Sequence, residues 1–237
     1  ILNAIPNVNI RGENYNFCWG LYEAWKAIVQ TREEFEKYKR TNKSDSACYG
    51  AGYMDPKRFE ELALEIIKSQ LGLSKYADDL TWGFKEVRYI DYLDELPRFL
   101  NFMARVLPNL GIIFNTREHA NVVRNWLRPE KNVKNLPALL SKADRVFFEY
   151  AEKNKNAFIC RYERVILGKR GLSPLFDFLG TQPRIEDLIE VLGNSHSYSG
   201  ENQTVERSKA LRTEGENKLF HRPSLPRYLD KVSEKMI

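Results

Sequence analysis

The sequence predicts an α/β fold in which a parallel sheet is covered by helices on both faces. Short apolar segments, typical of buried strands, alternate with longer segments whose apolar residues recur at helical spacing. Strands that are separated by helices pair in parallel, and a parallel sheet needs cover on both faces. The 237 residues, of which 43% are hydrophobic, suffice for one such domain with a substantial core.

The predicted strands are short and are bounded by polar or turn residues. The clearest is the run Gly111 to Asn115, which is apolar and follows Pro108 and Asn109. Because each run is separated from the next by a helical segment, we expect all of them to belong to the same parallel sheet. Strands are predicted at residues 7–10, 81–89, 111–115 and 157–162.

The predicted helices each carry an apolar face, and some have recognisable ends. Asp55 and Pro56 form a typical helix start, with the aspartate as N-cap and the proline in the first turn, and this helix ends near Gly72. The first residues read as the tail of a helix that stops before Pro6. The other helices are predicted at residues 17–28, 93–107, 116–126, 136–153, 174–179 and 185–192.

Composition excludes several classes of protein. No apolar run approaches the roughly 18 residues of a membrane span, and no block of lysine and arginine indicates nucleic-acid binding. The net charge of +5 suits a polyanionic substrate, or equally a surface with a few extra lysines. Three widely spaced cysteines argue against a disulfide framework and a zinc site, so we expect a reducing, cytoplasmic location.

Polar side chains follow the predicted strands, where open parallel sheets place their ligands. Arg117 precedes a helix and is a candidate phosphate ligand, unless it pairs with Glu118 or caps the turn. Lys85 could neutralise a transferring anion or could be a solvated lysine. Glu13 could be a general base or a solvated turn carboxylate. Tyr162 could face a nucleotide or cap the core.

Other motifs for common chemistry are missing from the sequence. There is no Gly-x-x-x-x-Gly-Lys-Ser/Thr loop and no Gly-x-Gly-x-x-Gly fingerprint. The three histidines are scattered and form no metal-binding pattern. Metal-dependent and nucleophilic catalysis are therefore poorly supported.

Taken in order, these segments resemble the sulfotransferase superfamily, which uses 3′-phosphoadenosine 5′-phosphosulfate (PAPS), and above all its bacterial and tyrosylprotein members. The stretch ILNAIPNVNIRGEN is similar to the helix and strand that follow the family's 5′-phosphosulfate loop. Its Gly-Glu matches the general base of the tyrosylprotein enzymes, which implies that role for Glu13. WGFKEVRY is similar to the strand whose lysine assists transfer, which implies Lys85. The implied fold is a P-loop-like parallel sheet.

Two further segments match the family's nucleotide site. LPNLGIIFNTREHANVVRNW resembles the strand and helix that hold the 3′-phosphate, which implies Arg117. The serine that the family has eight residues later is Asn125 here, a departure that keeps a hydrogen-bond donor. FICRYERVILGKRGLSPLFDFLG resembles the strand and helix whose tyrosine contacts the nucleotide, which implies Tyr162.

The C-terminal part matches less closely. VERSKA and the later HRP resemble the family's cofactor loop and offer Ser208, Lys209 and Arg222 as nucleotide ligands. Residues 193–224 are predicted to be a tail or a loop that the cofactor orders. The largest departure is the missing 5′-phosphosulfate loop, which the match places a few residues before Ile1. We expect residues 1–237 to be one domain without its first strand and that loop.

The resemblance implies transfer of a sulfuryl group from PAPS to a hydroxyl of a saccharide, a tyrosine or a small molecule, with no metal. An acceptor cleft could be lined by aromatic residues of the N-terminal part, among them Tyr15, Trp19, Trp25 and Tyr53. Helical spacing, however, favours a core position for Trp25. If Glu13 is not the base, Glu86 is the next candidate. A kinase without its phosphate loop and a non-catalytic binding module remain alternatives, and the sequence upstream of Ile1 would discriminate between them.

Overall fold

Parallel strands alternate with helices throughout the part of the chain that the computed structural model describes, residues 1–40, 42–72, 81–126, 135–181 and 188. The strands are β1 (Val8–Arg11), β2 (Thr81–Phe84), β3 (Ile112–Thr116) and β4 (Ala157–Arg161). The helices are α1 (Phe17–Lys37), α2 (Pro56–Gln70), α3 (Leu96–Val106), α4 (His119–Trp126), α5 (Leu136–Lys153), α6 (Tyr162–Val165) and α7 (Lys169–Leu179). Short 3₁₀ helices occupy Leu2–Ala4, Ala51–Tyr53 and Arg88–Tyr92.

The strands form two parallel pairs. In the first pair β1 lies beside β2, with Val8 opposite Thr81 and Arg11 opposite Phe84. In the second pair β3 lies beside β4 along its whole length. The predicted α/β class and parallel pairing are confirmed, but the described strands make two small sheets where we predicted one continuous sheet.

Alternate strand residues face two separate cores, so helices flank the sheets. Ile112 and Phe114 of β3 belong to the larger core, which also holds Trp82 of β2 and residues of α1, α2, α3 and α5. Ile113 packs on the smaller core instead, together with Val8 of β1 and residues of α7. Both strand pairs therefore contribute to both cores.

Aromatic side chains dominate the contact between α1 and α3. The Trp19 and Phe99 ring centroids lie 5.1 Å apart, and those of Trp25 and Phe102 lie 5.3 Å apart. Trp19 is buried, whereas Tyr15 and Tyr53 are 82% and 75% exposed. Trp25 therefore packs on the core, as its helical spacing favoured, and Trp19 belongs to the core although it was considered only for a cleft.

Several element boundaries differ from the prediction. The strand predicted at 81–89 ends at Phe84, because the Glu86 carboxylate binds the N–H groups of Val87 and Arg88 and a 3₁₀ helix follows. The predicted helix 1–5 is a 3₁₀ turn. Helix α7 starts before the predicted residue 174 and contains Pro174. The helix predicted at 185–192 lies outside the described residues apart from buried Leu188.

Two glycines should respond in opposite ways to replacement by alanine. A Cβ at Gly171 in α7 would lie 1.7 Å from the Arg164 carbonyl oxygen, so Gly171→Ala must displace backbone and is expected to destabilise by at least about 1–3 kcal/mol. Gly20 is exposed in α1 with open space around it, so Gly20→Ala should stabilise by about 0.5–1 kcal/mol. Urea unfolding of the two variants checks this. Equal destabilisation by both would contradict it.

Candidate functional site

The parallel pairing of β1 and β2 brings Glu13 and Lys85 together. Both residues follow the carboxyl ends of their strands, and the Lys85 N–H extends the ladder by donating to the Arg11 carbonyl at 3.0 Å. Lys85 Nζ lies 2.9 Å from Glu13 Oε1, and Arg88 Nη1 lies 3.1 Å from Glu13 Oε2. The Glu13 side chain is 33% exposed, so solvent and a substrate can still reach it.

The surroundings of Glu13 keep it ionised at neutral pH. The hydrogen bond from Lys85 lowers the pKa of Glu13, and the charges of Lys85 and Arg88 act in the same direction against a smaller opposing effect of desolvation. Ionisation leaves the carboxylate free to accept a proton. The two cations also make it a weak base for as long as both of them remain bound to it.

Glu86, the neighbour of Lys85, is enclosed by hydrogen-bond donors. Its side chain is 0% exposed and accepts from the N–H groups of Asn16 at 3.0 Å and Val87 at 2.8 Å, and from Arg88 Nη1 at 2.9 Å. Burial alone would raise the pKa of Glu86, but hydrogen bonds from the Asn16, Arg88 and Val87 N–H groups and the Arg88 guanidinium outweigh it and lower the pKa to about 2.

The low pKa of Glu86 predicts a loss of stability in acid. The unfolded chain has a glutamate pKa of about 4.3, so the contribution of Glu86, roughly 3 kcal/mol, is complete above that pH and is lost as the pH falls towards 2. Between pH 5 and pH 3 this group alone should lower the free energy of unfolding by roughly 1–2 kcal/mol. Urea titrations at both pH values check this, and Glu86→Gln should lack that part of the loss.

The second strand pair brings together Arg117 and Tyr162. Arg117 follows the end of β3 and Tyr162 follows the end of β4, and the Arg117 guanidinium carbon lies 4.3 Å from the Tyr162 ring centroid. The Glu118 N–H donates to Glu163 Oε1 at 2.8 Å, which ties the two strand ends together. Arg117 Nε is buried and has no hydrogen-bond partner among the described residues.

Pairing of Arg117 with Glu118, one of the alternatives to a phosphate role, is not the contact found. The Glu118 side chain accepts from Asn121 instead, while the arginine lies on the tyrosine ring. A stacked guanidinium keeps its remaining N–H groups available for an anion. Asn125 lies in α4, on the helix that begins two residues after Arg117.

Other predicted ligands lie outside the described residues. These are Ser208, Lys209 and Arg222, with the whole 193–224 segment in which they occur. The ranges that are described contain no group of three histidine, cysteine, aspartate or glutamate residues able to hold a metal ion. No helix within those same ranges is long and apolar enough to cross a membrane.

Sequence reasoning overlooked Arg88. A strand over residues 81–89 would put Arg88 on the same face as Glu86 and opposite Lys85, with nothing to link it to the turn after β1. The 3₁₀ helix at Arg88–Tyr92 bends the chain so that Arg88 contacts both Glu13 and Glu86. The signal for this bend was the carboxylate of Glu86, which can bind the N–H groups that follow it.

No protein-family model matches the chain, and no curated protein matches it.

Proposed function

We propose that this chain is part of a sulfotransferase that moves a sulfuryl group from PAPS to an acceptor hydroxyl. The observation that carries the proposal is the contact between Glu13 and Lys85 at the ends of adjacent parallel strands. An ionised carboxylate beside an exposed cation supplies the two groups that such a transfer needs. One accepts the hydroxyl proton, and the other neutralises the charge that develops on the leaving phosphate.

The proposed step balances as an in-line displacement. The acceptor oxygen bonds to sulfur while the bond between sulfur and the bridging phosphate oxygen breaks. The hydroxyl proton passes to Glu13, and 3′-phosphoadenosine 5′-phosphate (PAP) leaves with the bond electrons. The protein's work is positioning and electrostatic stabilisation, because the nucleophile and the electrophile both come from the substrates.

Lys85 has to change partners during this step. In the structure it binds Glu13, and its side chain is 62% exposed, so it can swing to an anion beside the turn. Donor binding would draw Lys85 away from the carboxylate. The pKa of Glu13 would then rise towards its ordinary value, because the hydrogen bond that lowers it most is lost. The base would thus become stronger when the donor is in place.

The residues at the second strand pair suit the nucleotide. Arg117 is stacked on Tyr162 and retains a buried Nε–H with no partner among the described residues, which fits an anion such as a 3′-phosphate. Asn125 would add a donor from α4. We also propose that the β1–β2 pair and the β3–β4 pair bind the same PAPS molecule.

We further propose that the two strand pairs belong to a single sheet, since both pairs face the same two cores.

Calorimetry with PAP and ADP tests the nucleotide half of the proposal. The protein should bind PAP more tightly, since a charge-assisted contact from Arg117 to the 3′-phosphate is worth roughly 1.5–3 kcal/mol, or about 10–150-fold. Arg117→Ala should remove most of this preference. Arg58→Ala, which removes an exposed arginine of α2, should leave it unchanged. Equal affinity for both nucleotides would overturn the assignment.

A further inference from the structure

The turn that carries Glu13 has an unusual backbone. Tyr15 and Asn16 are consecutive non-glycine residues with φ of 56° and 60°, which is the left-handed region. Side chains other than glycine visit that region at a cost, above all a bulky one such as tyrosine. Such a conformation persists only where the surroundings hold it, and it is frequent at functional sites.

Glu86 holds this turn from the neighbouring strand. Its Oε2 accepts from the N–H groups of Asn14 at 3.3 Å and Asn16 at 3.0 Å, one on each side of Tyr15. Its Oε1 accepts from the N–H groups of Val87 at 2.8 Å and Arg88 at 3.0 Å. One carboxylate therefore ties the turn after β1 to the chain after β2.

The same carboxylate also fixes a cation on Glu13. Arg88 Nη1 lies 2.9 Å from Glu86 Oε1 and 3.1 Å from Glu13 Oε2, so a single nitrogen bridges the two glutamates. The Arg88 guanidinium also lies 4.3 Å from the ring centroid of Tyr15. Backbone, cation and aromatic ring around Glu13 are thus all linked to Glu86.

Glu86 is unsuited to be the base itself. Its side chain is wholly buried, and its two oxygens together face four backbone N–H groups and the Arg88 guanidinium. A carboxylate in that setting cannot reach an acceptor hydroxyl. The candidacy of Glu86 as the alternative base therefore has no support in the geometry.

We infer that Glu86 is a positioning residue that holds Glu13 and Arg88 in the geometry in which Glu13 takes the acceptor proton. The inference deepens the proposed function and rests on it. Glutamine cannot replace Glu86, because its NH₂ group would point at backbone donors on one side or the other. Aspartate keeps the charge but is one methylene shorter, so it cannot bind both strand ends at once.

The first test measures Glu13 directly and needs no acceptor. The carboxyl of Glu13 is titrated by NMR in the wild type, in Glu86→Gln and in Glu60→Gln. Glu60 is a matched control, since its carboxylate is 18% exposed and pairs with Arg105 at 2.8 Å, away from the turn. The Glu86 charge itself raises the pKa of Glu13, so its loss alone would lower that pKa, whereas displacement of the Arg88 cation would raise it. If Glu86 holds Arg88 on Glu13, the pKa of Glu13 should therefore rise in Glu86→Gln and stay at the wild-type value in Glu60→Gln. An unchanged or lowered pKa of Glu13 in folded Glu86→Gln would overturn the inference.

The second test is a double-mutant cycle on turnover of PAPS, with tyramine and N-acetylglucosamine as acceptor probes. Glu86→Gln should lower kcat about 10²-fold, as a displacement of about 1 Å can do, with PAP affinity within about twofold of wild type. Added to Glu13→Gln, it should cause little further loss, because Glu86 acts only through Glu13. If the double variant lost the full product of the two single decreases in kcat, the inference would be contradicted.

The variants separate the role of Glu13 as the base from the role of Glu86 as a positioning residue. Full activity of Glu13→Gln sinks the proposed base, whatever Glu86 does. A slow Glu13→Gln with a fast, folded Glu86→Gln sinks only the positioning role. If Glu86→Gln does not fold, Glu86→Asp takes its place in both experiments, with the same expected direction and a smaller loss.

Discussion

Glu13→Gln is expected to lower kcat by about 10²–10⁴-fold while PAP affinity stays within about twofold of wild type. Glutamine keeps the size of the side chain and an oxygen for Lys85 Nζ, which lies 2.9 Å from the carboxylate. It cannot accept the proton of the acceptor hydroxyl. The measurement is turnover of PAPS by the intact protein, with a thermal melt and a PAP titration on the same sample.

The control for this change is Glu33→Gln, which removes an exposed carboxylate from α1. It should leave turnover at the wild-type value. A turn carboxylate without a catalytic role would behave otherwise: Glu13→Gln would lower the melting temperature or change nothing, and turnover would follow the folded fraction. A stable, nucleotide-binding Glu13→Gln with full activity would require another base, and the enclosed Glu86 could not supply it.

Lys85→Met is expected to lower kcat by about 10²–10³-fold, the effect of removing one preorganised group that stabilises transition-state charge. Methionine retains the length and apolar stem of the side chain but carries no charge. The same variant should raise the pKa of Glu13, because the hydrogen bond from Lys85 is the main cause of its depression. Turnover and an NMR titration of Glu13 measure the two effects.

An exposed lysine of α2, Lys57, provides the matched control for Lys85. Lys57→Met should change neither turnover nor the titration of Glu13. If Lys85 were only a surface partner of Glu13, Lys85→Met would leave turnover intact or increase it, since the carboxylate would become a stronger base. That result would remove Lys85 from the mechanism.

Local signals predicted much of the fold. Asp55 and Pro56 indicated a helix start, and the Asp55 carboxylate accepts from the N–H groups of Lys57 and Arg58 as an N-cap does. Helical spacing placed Trp25 in the core, where it packs on Phe102. The division into two sheets was not predictable, because strand pairing depends on contacts distant in sequence that an apolar pattern does not specify.

In the candidate site, only the residues that follow the end of a strand were predictable from the sequence. Glu13 and Lys85 were expected at strand ends, and parallel pairing brings them into contact. Arg88 and the structural role of Glu86 escaped prediction. Both depend on β2 ending at Phe84, where the Glu86 carboxylate accepts from the N–H groups of Val87 and Arg88. The same carboxylate also binds the N–H groups of Asn14 and Asn16, 72 and 70 positions earlier in the chain, which a local pattern does not specify.

A comparison of two labelled donors distinguishes sulfuryl transfer from phosphoryl transfer and from binding alone. The intact protein is incubated with ³⁵S-labelled PAPS or with γ-³²P-labelled ATP, and with tyramine and N-acetylglucosamine as acceptors. We expect that ³⁵S reaches an acceptor with release of PAP, that Glu13→Gln abolishes most of this transfer, and that no ³²P is transferred. Transfer of ³²P without ³⁵S, or binding of nucleotide with transfer of neither label, would contradict this expectation.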